Sequence, residues 1–326
     1  MLEINRRNAR IWSMLGMRRV LGLALSELAE QDERFVFVTA DVARYFGAEK
    51  FAQAYPDRYI DVGIAEQNMV TVAAGLAKEG YHPLTATYAT FTTARALDQV
   101  RVSLAYMGLP VLLVGVGGGL AEGDLSATHM GLEDVAVMRV LPKLTVIEPA
   151  DCAELLLALQ ALIREPRPAY LRLTGKTGQP MLYRNMFEYT IGKANCLQEG
   201  DGSLAFLTAG TVTAQVLKAA ESLADAGKVH ASVYDMHTIK PLDAALLEEL
   251  SHCGRLVVVE EHMQSGGLAG AIAEFYAERA QRPRILALGV KDAYPAANDY
   301  EEMLRLSGLT AEGIASSVQR WMEAEQ

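Results

Sequence analysis

Short apolar runs separated by helical stretches constrain this chain more than any other feature. The segments FVFVT at 35–39, VLLVGV at 111–116, LAFLT at 204–208 and LVVVEE at 256–261 show little polar alternation. Residues with apolar members at helical spacing lie between such runs. A strand that is apolar on both faces must be covered on both, which is the condition of a parallel sheet flanked by helices. The sequence therefore predicts an α/β fold of two parallel-sheet domains with helices on both faces. One occupies residues 1–180 and the other 194–326. Between them, 181–193 loses its periodicity, and nearby prolines and polar residues mark a linker. Before the first strand, Leu15, Val20, Leu23, Leu25 and Leu28 give an apolar side to a helix predicted over Ser13 to Gln31.

Composition narrows the function. A chain of 326 residues, half of them apolar, can build two cores of ordinary size. A net charge of −10 argues against nucleic acid or an anionic membrane as partner. The best membrane candidate, Leu109 to Ala121, is short and crowded with glycine, and the first residues lack the apolar core of a secretory signal. Cys152, Cys196 and Cys253 stand far apart with no metal-like spacing, so a reducing, cytoplasmic setting is expected.

Candidate chemistry gathers where strands should turn into helices. In DVGIAEQNMVTVAAGLAKEG, at 61–80, an extended start gives way to helical spacing at Glu66. A carboxylate set between Ile64, Ala65 and a helix is partly desolvated, a setting for proton exchange; equally, acids favour a first helical turn. Asp41 ends the first strand, at the edge where active-site groups collect in open sheets, and also suits a turn or an N-cap. Tyr88 and Phe91 flank the next junction, where buried aromatic rings are ordinarily core. On the helix predicted from Phe91 to Tyr106, Arg95 and Asp98 have the offset of an ion pair, with a substrate contact as the second reading of Arg95. Gly115, Gly117, Gly118 and Gly119 free the backbone to approach something closely. Their context is neither GxGxxG nor a Walker loop.

GIAEQNM, AAGLAKEG, TYATF and RALDQVR in this order, followed by MHTIKPLD and GLTAEGI, make nearly the whole chain similar to thiamine diphosphate enzymes of the transketolase type. The resemblance implies a pyrimidine-binding domain followed by a transketolase C-terminal-like domain. It implies that Glu66 contacts a ring nitrogen of the aminopyrimidine, with Asp41, Ile64, Tyr88 and Phe91 around the cofactor. THMGLED resembles the family's substrate loop, EDG-x-[ST]-H-Q, which makes His129 a catalytic and substrate-binding residue and Asp124 a substrate neighbour. Here Asp124 is one residue further from the histidine, and Met130 replaces the glutamine. Arg172 matches a basic position for a substrate phosphate or carboxylate, with Lys176 as a displaced second. His237 and His262 are expected to be structural.

The diphosphate and its Mg2+ would be held by another domain, bearing GDG and a downstream asparagine. Here Gly200-Asp201-Gly202 precedes a strand and reads as a turn. The implied enzyme is a transferase of carbohydrate metabolism that moves a two-carbon ketol unit from a ketose to an aldose. This chain would be the C-terminal subunit of an α2β2 heterotetramer with an N-terminal partner. Alternatives within the resemblance are the beta subunit of a 2-oxo-acid dehydrogenase or a deoxyxylulose-phosphate-synthase-like enzyme; outside catalysis, an assembly subunit.

Overall fold

The computed structural model describes residues 2–324. Its strands are β1 (Phe35–Thr39), β2 (Tyr59–Asp61), β3 (His82–Tyr88), β4 (Leu112–Gly118), β5 (Thr145–Ile147), β6 (Ala169–Thr174), β7 (Asn195–Gln198), β8 (Leu204–Thr208), β9 (Ser232–Asp235), β10 (Thr238–Lys240), β11 (Arg255–Met263) and β12 (Arg284–Val290). They form two mostly parallel sheets, ordered β10-β5-β6-β4-β3-β1-β2 and β12-β11-β8-β9-β7.

Strand β1 shows why the apolar runs are continuous. Phe35 and Phe37 point into one apolar layer with Val20, Leu21, Leu25 and Leu155, while Val36 and Val38 point into the opposite layer with Met69, Val70 and Ala73. Successive side chains of a strand face opposite ways, so a sheet covered twice needs no polar residue. Each fully buried phenylalanine contributes on the order of 2 kcal/mol.

Two edge strands escape sequence reading. Both β7 and β10 are short and antiparallel, and β10 pairs with β5, so a strand from the second half closes the first sheet. Their few residues carry no periodicity, and pairing across the halves is a tertiary event. One apolar layer is common to both sheets, running from Val38 and Leu113 to Leu207, Met236 and Val258.

The first helix also differs from expectation. Two helices, Arg6–Leu15 and Met17–Gln31, meet at Gly16, whose φ is +79°. A Cβ there would stand 2.8 Å from the Lys176 carbonyl oxygen, so the chain needs glycine at this break. The helix over 91–106 is wound in π turns at Phe91–Arg95 and Val100–Tyr106. Such wide turns are rare and often mark functional segments.

Candidate functional site

All carboxyl ends of the parallel strands of the first sheet lie along one edge, where a crevice forms in open α/β sheets. Strand β2 ends at Asp61, and four connecting residues lead to the helix Glu66–Lys78, which Glu66 opens. Ile64, on that connection, is 77% exposed, whereas Glu66 is 3% exposed. No side chain caps this helix.

Glu66 is held by Arg95, whose Nη1 donates to both carboxylate oxygens at 2.9 and 2.8 Å. The pairing expected from spacing, Arg95 with Asp98, is not made. Asp98 faces Arg101 at 3.8 Å on the surface. The π turns change the angle per residue, so a three-residue offset no longer brings Arg95 and Asp98 onto one stripe. The Arg95 guanidinium also lies over the Phe91 ring, 3.8 Å from its centroid.

Phe91, Tyr88 and His129 form one cluster with edge-to-face geometry. Ring centroids are 5.6 Å apart for Tyr88 and Phe91, 5.0 Å for Tyr88 and His129, and 5.2 Å for Phe91 and His129. This is a favourable arrangement for aromatic quadrupoles. His129 is half-buried and its Nδ1 meets the Thr128 hydroxyl at 2.9 Å.

Asp41 adopts the left-handed backbone conformation at φ +61°, and its N–H donates to Asp61 at 2.9 Å. It lines an open groove of about 860 Å³ with Tyr45, Tyr59, Asp61, Tyr88, Arg19 and Arg44. Sequence reading did not single out the group behind this groove. Arg18 stacks 3.6 Å over Tyr45, Tyr45 packs against Tyr88, and the Tyr45 hydroxyl donates to the buried Glu122. Burial, then Glu122, pushes the Tyr45 hydroxyl far above its ordinary range. The paired arginines 18 and 19 on an otherwise apolar helix were the available signal.

The loop after β4 carries strain. Ser126 sits at φ +57°, ψ −156°, a region almost reserved for glycine, and donates through its hydroxyl to the Pro295 carbonyl at 3.2 Å. The Asn298 N–H donates to the Gly123 carbonyl at 3.1 Å, so the second domain holds the loop from outside. Asp124 pairs with Lys176 at 2.6 Å near the surface, and this lysine holds the carboxyl below the usual range.

Arg172 does not belong to this edge. It is fully buried, and its guanidinium donates to Asp134 at 2.8 Å, Glu148 at 2.7 Å and the carbonyls of Gly131 and Glu261 at 2.8 Å each. Protein acceptors consume the donors that a substrate anion would need, and the reading of Arg172 as a substrate contact is thereby corrected. Burial pushes the Glu148 carboxyl up to about 8, with Arg172 opposing and Asp134 adding to the rise. The glycines of β4 serve the same network: a Cβ on Gly118 would stand 2.8 Å from Arg172, and one on Gly119 2.6 Å from Glu261. The close approach that the glycines permit is therefore to an internal ion network.

The remaining polar residues are structural. Asp201 accepts from the Ser203 N–H at 2.9 Å in an exposed turn. His237 is buried and stacked on Tyr189, and His262 accepts from the Ala136 N–H at 3.3 Å. Among the described residues no cluster of three or more His, Cys, Asp or Glu is placed to hold a metal ion, and no helix is long and apolar enough to cross a membrane.

A buried acid, aromatic rings beside it, and a flat cation resting on both meet at the edge of a parallel sheet. The residues present fit an aminopyrimidine, with an acid to meet a ring nitrogen and aromatic faces to pack on the ring. The chain belongs to the transketolase family: the family's pyrimidine binding domain matches residues 13–179 and its C-terminal domain matches 192–314. It is 38% identical to 6-deoxy-6-sulfo-D-fructose transketolase subunit SqwH of Clostridium sp. (strain MSTE9) over 89% of each chain. It is 36% identical to one subunit of the apulose-4-phosphate transketolase of Phocaeicola vulgatus, over 94% of this chain and 97% of that one. Synthases of 1-deoxy-D-xylulose 5-phosphate match along about half their own length, at 47% for one from Neisseria meningitidis. Among solved structures, a split gene transketolase described as an inactive beta4 tetramer superposes with a TM-score of 0.83 at 34% identity. That match covers 94% of this chain and 97% of that one.

Proposed function

We propose that this chain is the C-terminal, pyrimidine-binding subunit of a two-subunit transketolase that transfers a two-carbon ketol unit from a ketose to an aldose. The observation that carries this reading is the buried Glu66 beside Phe91, Tyr88 and His129, in a chain that matches relatives named as transketolase subunits along nearly their whole length. The partner would hold the diphosphate and Mg2+, in an α2β2 heterotetramer of the cytoplasm. Thiamine diphosphate, when bound, supplies the nucleophilic carbon that attacks a carbonyl.

Glu66 holds a proton at a ring nitrogen of the pyrimidine, where burial makes that hydrogen bond stronger than it is in water. Phe91 and Tyr88 flank the ring and exclude water, and Ile64 adds an apolar shoulder. His129 offers its free ring nitrogen to donor hydroxyls and moves protons there, a task suited to imidazole near neutral pH. Asp41 bounds the groove beneath. With Arg172 withdrawn into the interior, Arg18 and Lys176 are the cations beside the loop of Asp124, and they receive the anionic end of a sugar phosphate or a similar acid.

Glu66→Gln, assayed in the complex with the partner subunit, should lower ketol transfer by roughly a hundredfold or more while the fold persists. Near-native turnover in that variant would remove the assignment. Pyruvate consumption with release of carbon dioxide, in place of ketol transfer, would move the reading to the 2-oxo-acid enzymes.

A further inference from the structure

Glu66 gains from a partner even when no cofactor is present, because burial penalises a carboxylate left without one. Arg95 is that partner, and its own side chain is 45% exposed against 4% for Glu66. Three features of the contact resemble what an aminopyrimidine would offer. The guanidinium presents N–H groups to both Glu66 oxygens, places a flat delocalised system 3.8 Å over Phe91, and brings positive charge to the acid. Two flat groups cannot hold the same acid and the same ring face together.

The main chain at Arg95 is anchored separately. Gln67 Nε2 donates to the Arg95 carbonyl at 3.3 Å, and the residue ends the π-turn segment Phe91–Arg95. The long side chain can therefore swing into solvent without moving the helix that carries Phe91.

Resting on the cofactor reading above, we infer that Arg95 is a self-ligand: it occupies the place of the pyrimidine in the free chain and withdraws when thiamine diphosphate seats. The apparent affinity for the pyrimidine is then lowered by the fraction of chains in which Arg95 is withdrawn. Pairing with Glu66 and stacking on Phe91 both favour the closed state.

The test uses the full chain and 4-amino-5-hydroxymethyl-2-methylpyrimidine, the pyrimidine half of the cofactor, which needs no diphosphate domain. Binding is followed by calorimetry and ligand-observed NMR in wild type, Arg95→Ala, Arg95→Lys and Glu66→Gln. Arg95→Ala should bind roughly tenfold tighter than wild type, as expected if about nine chains in ten are closed. Arg95→Lys, which keeps the charge but loses the plane, should fall between. Without ligand, Arg95→Ala should melt a few degrees lower, and saturating pyrimidine should restore more of its stability than it adds to wild type. Affinity in Arg95→Ala equal to or below that of wild type overturns the proposal, as does absence of binding in every variant. Arg95→Lys decides the same question should the alanine variant not fold. The cofactor reading falls separately, if Glu66→Gln retains ketol transfer in the complex.

Discussion

Arg95 and Arg172 each hold a buried glutamate, and they do so in opposite ways. Arg172 is sealed: it is fully buried, with Asp134 and Glu148 at most 2% exposed beside it, and two backbone carbonyls complete its fork. Arg95 reaches Glu66 from the surface with a single nitrogen and remains half in water. A buried ion network between the sheets fixes their relation, whereas a contact closed from one side can be exchanged for another ligand. The difference teaches that burial of the acid alone does not mark a functional pair; the freedom of its partner does.

The contrast can be broken by substitution. Arg172→Met should cost about 3–5 kcal/mol, because Asp134 and Glu148 stay buried without a counter-charge, and thermal or denaturant unfolding measures it. A loss no larger than that of Arg95→Ala would erase the distinction. Arg95→Ala should cost only about 1–2 kcal/mol, since water already reaches that side of the contact; adding Glu66→Gln should recover most of the loss.

A third buried acid site sharpens the comparison through pH. Glu154 and Asp235 are buried together where the first sheet's helix Cys152–Arg164, the linker and β9 meet, with Tyr183, Tyr189, Asn195, Asp151 and His237 facing them. Burial raises Asp235 to about 7 and Glu154 well above the carboxylate range. A folded-state value above the unfolded one means stability that is full below the ordinary carboxylate range, near about 4, and lost as pH rises to about 7. Asp235→Asn should therefore gain on wild type by up to about 1.4 kcal/mol per pH unit across that window and level off above it. Melting curves from pH 5 to 8 check the sign. A constant difference across that range would mean that the raised carboxyl of Asp235 contributes nothing to the pH dependence.

Lys176→Ala should have the smallest effect on folding, under about 1 kcal/mol, because its pair with Asp124 is screened by water. Its consequence should appear instead as a several-fold higher KM for phosphorylated sugars, with unphosphorylated sugars unaffected. An equal change for both would take Lys176 out of the anion site.

Much of the candidate site was legible because it follows the strand-to-helix junctions. Glu66 opens its helix, and Tyr88, Phe91 and His129, drawn from two separate junctions, meet at one edge. The role of Arg172 was not legible, since its acceptors come from three separate segments, at Gly131 and Asp134, at Glu148 and at Glu261. Nor was the partner of Arg95, because periodicity assumes a regular helix and this one is wound in π turns. The contact of Arg18 with Tyr45 was not legible either, since it joins two helices and only the paired arginines 18 and 19 hinted at it.

The alternation of apolar runs and helices, read by itself, determined two parallel sheets and the edge at which chemistry would collect, because burial on both faces leaves a signature in every strand. Only the tertiary structure decided which arginine is sealed and which is free. That choice depends on how far each guanidinium lies from water after the second domain packs on the first, a distance set by contacts between residues up to 89 positions apart and written in no segment alone.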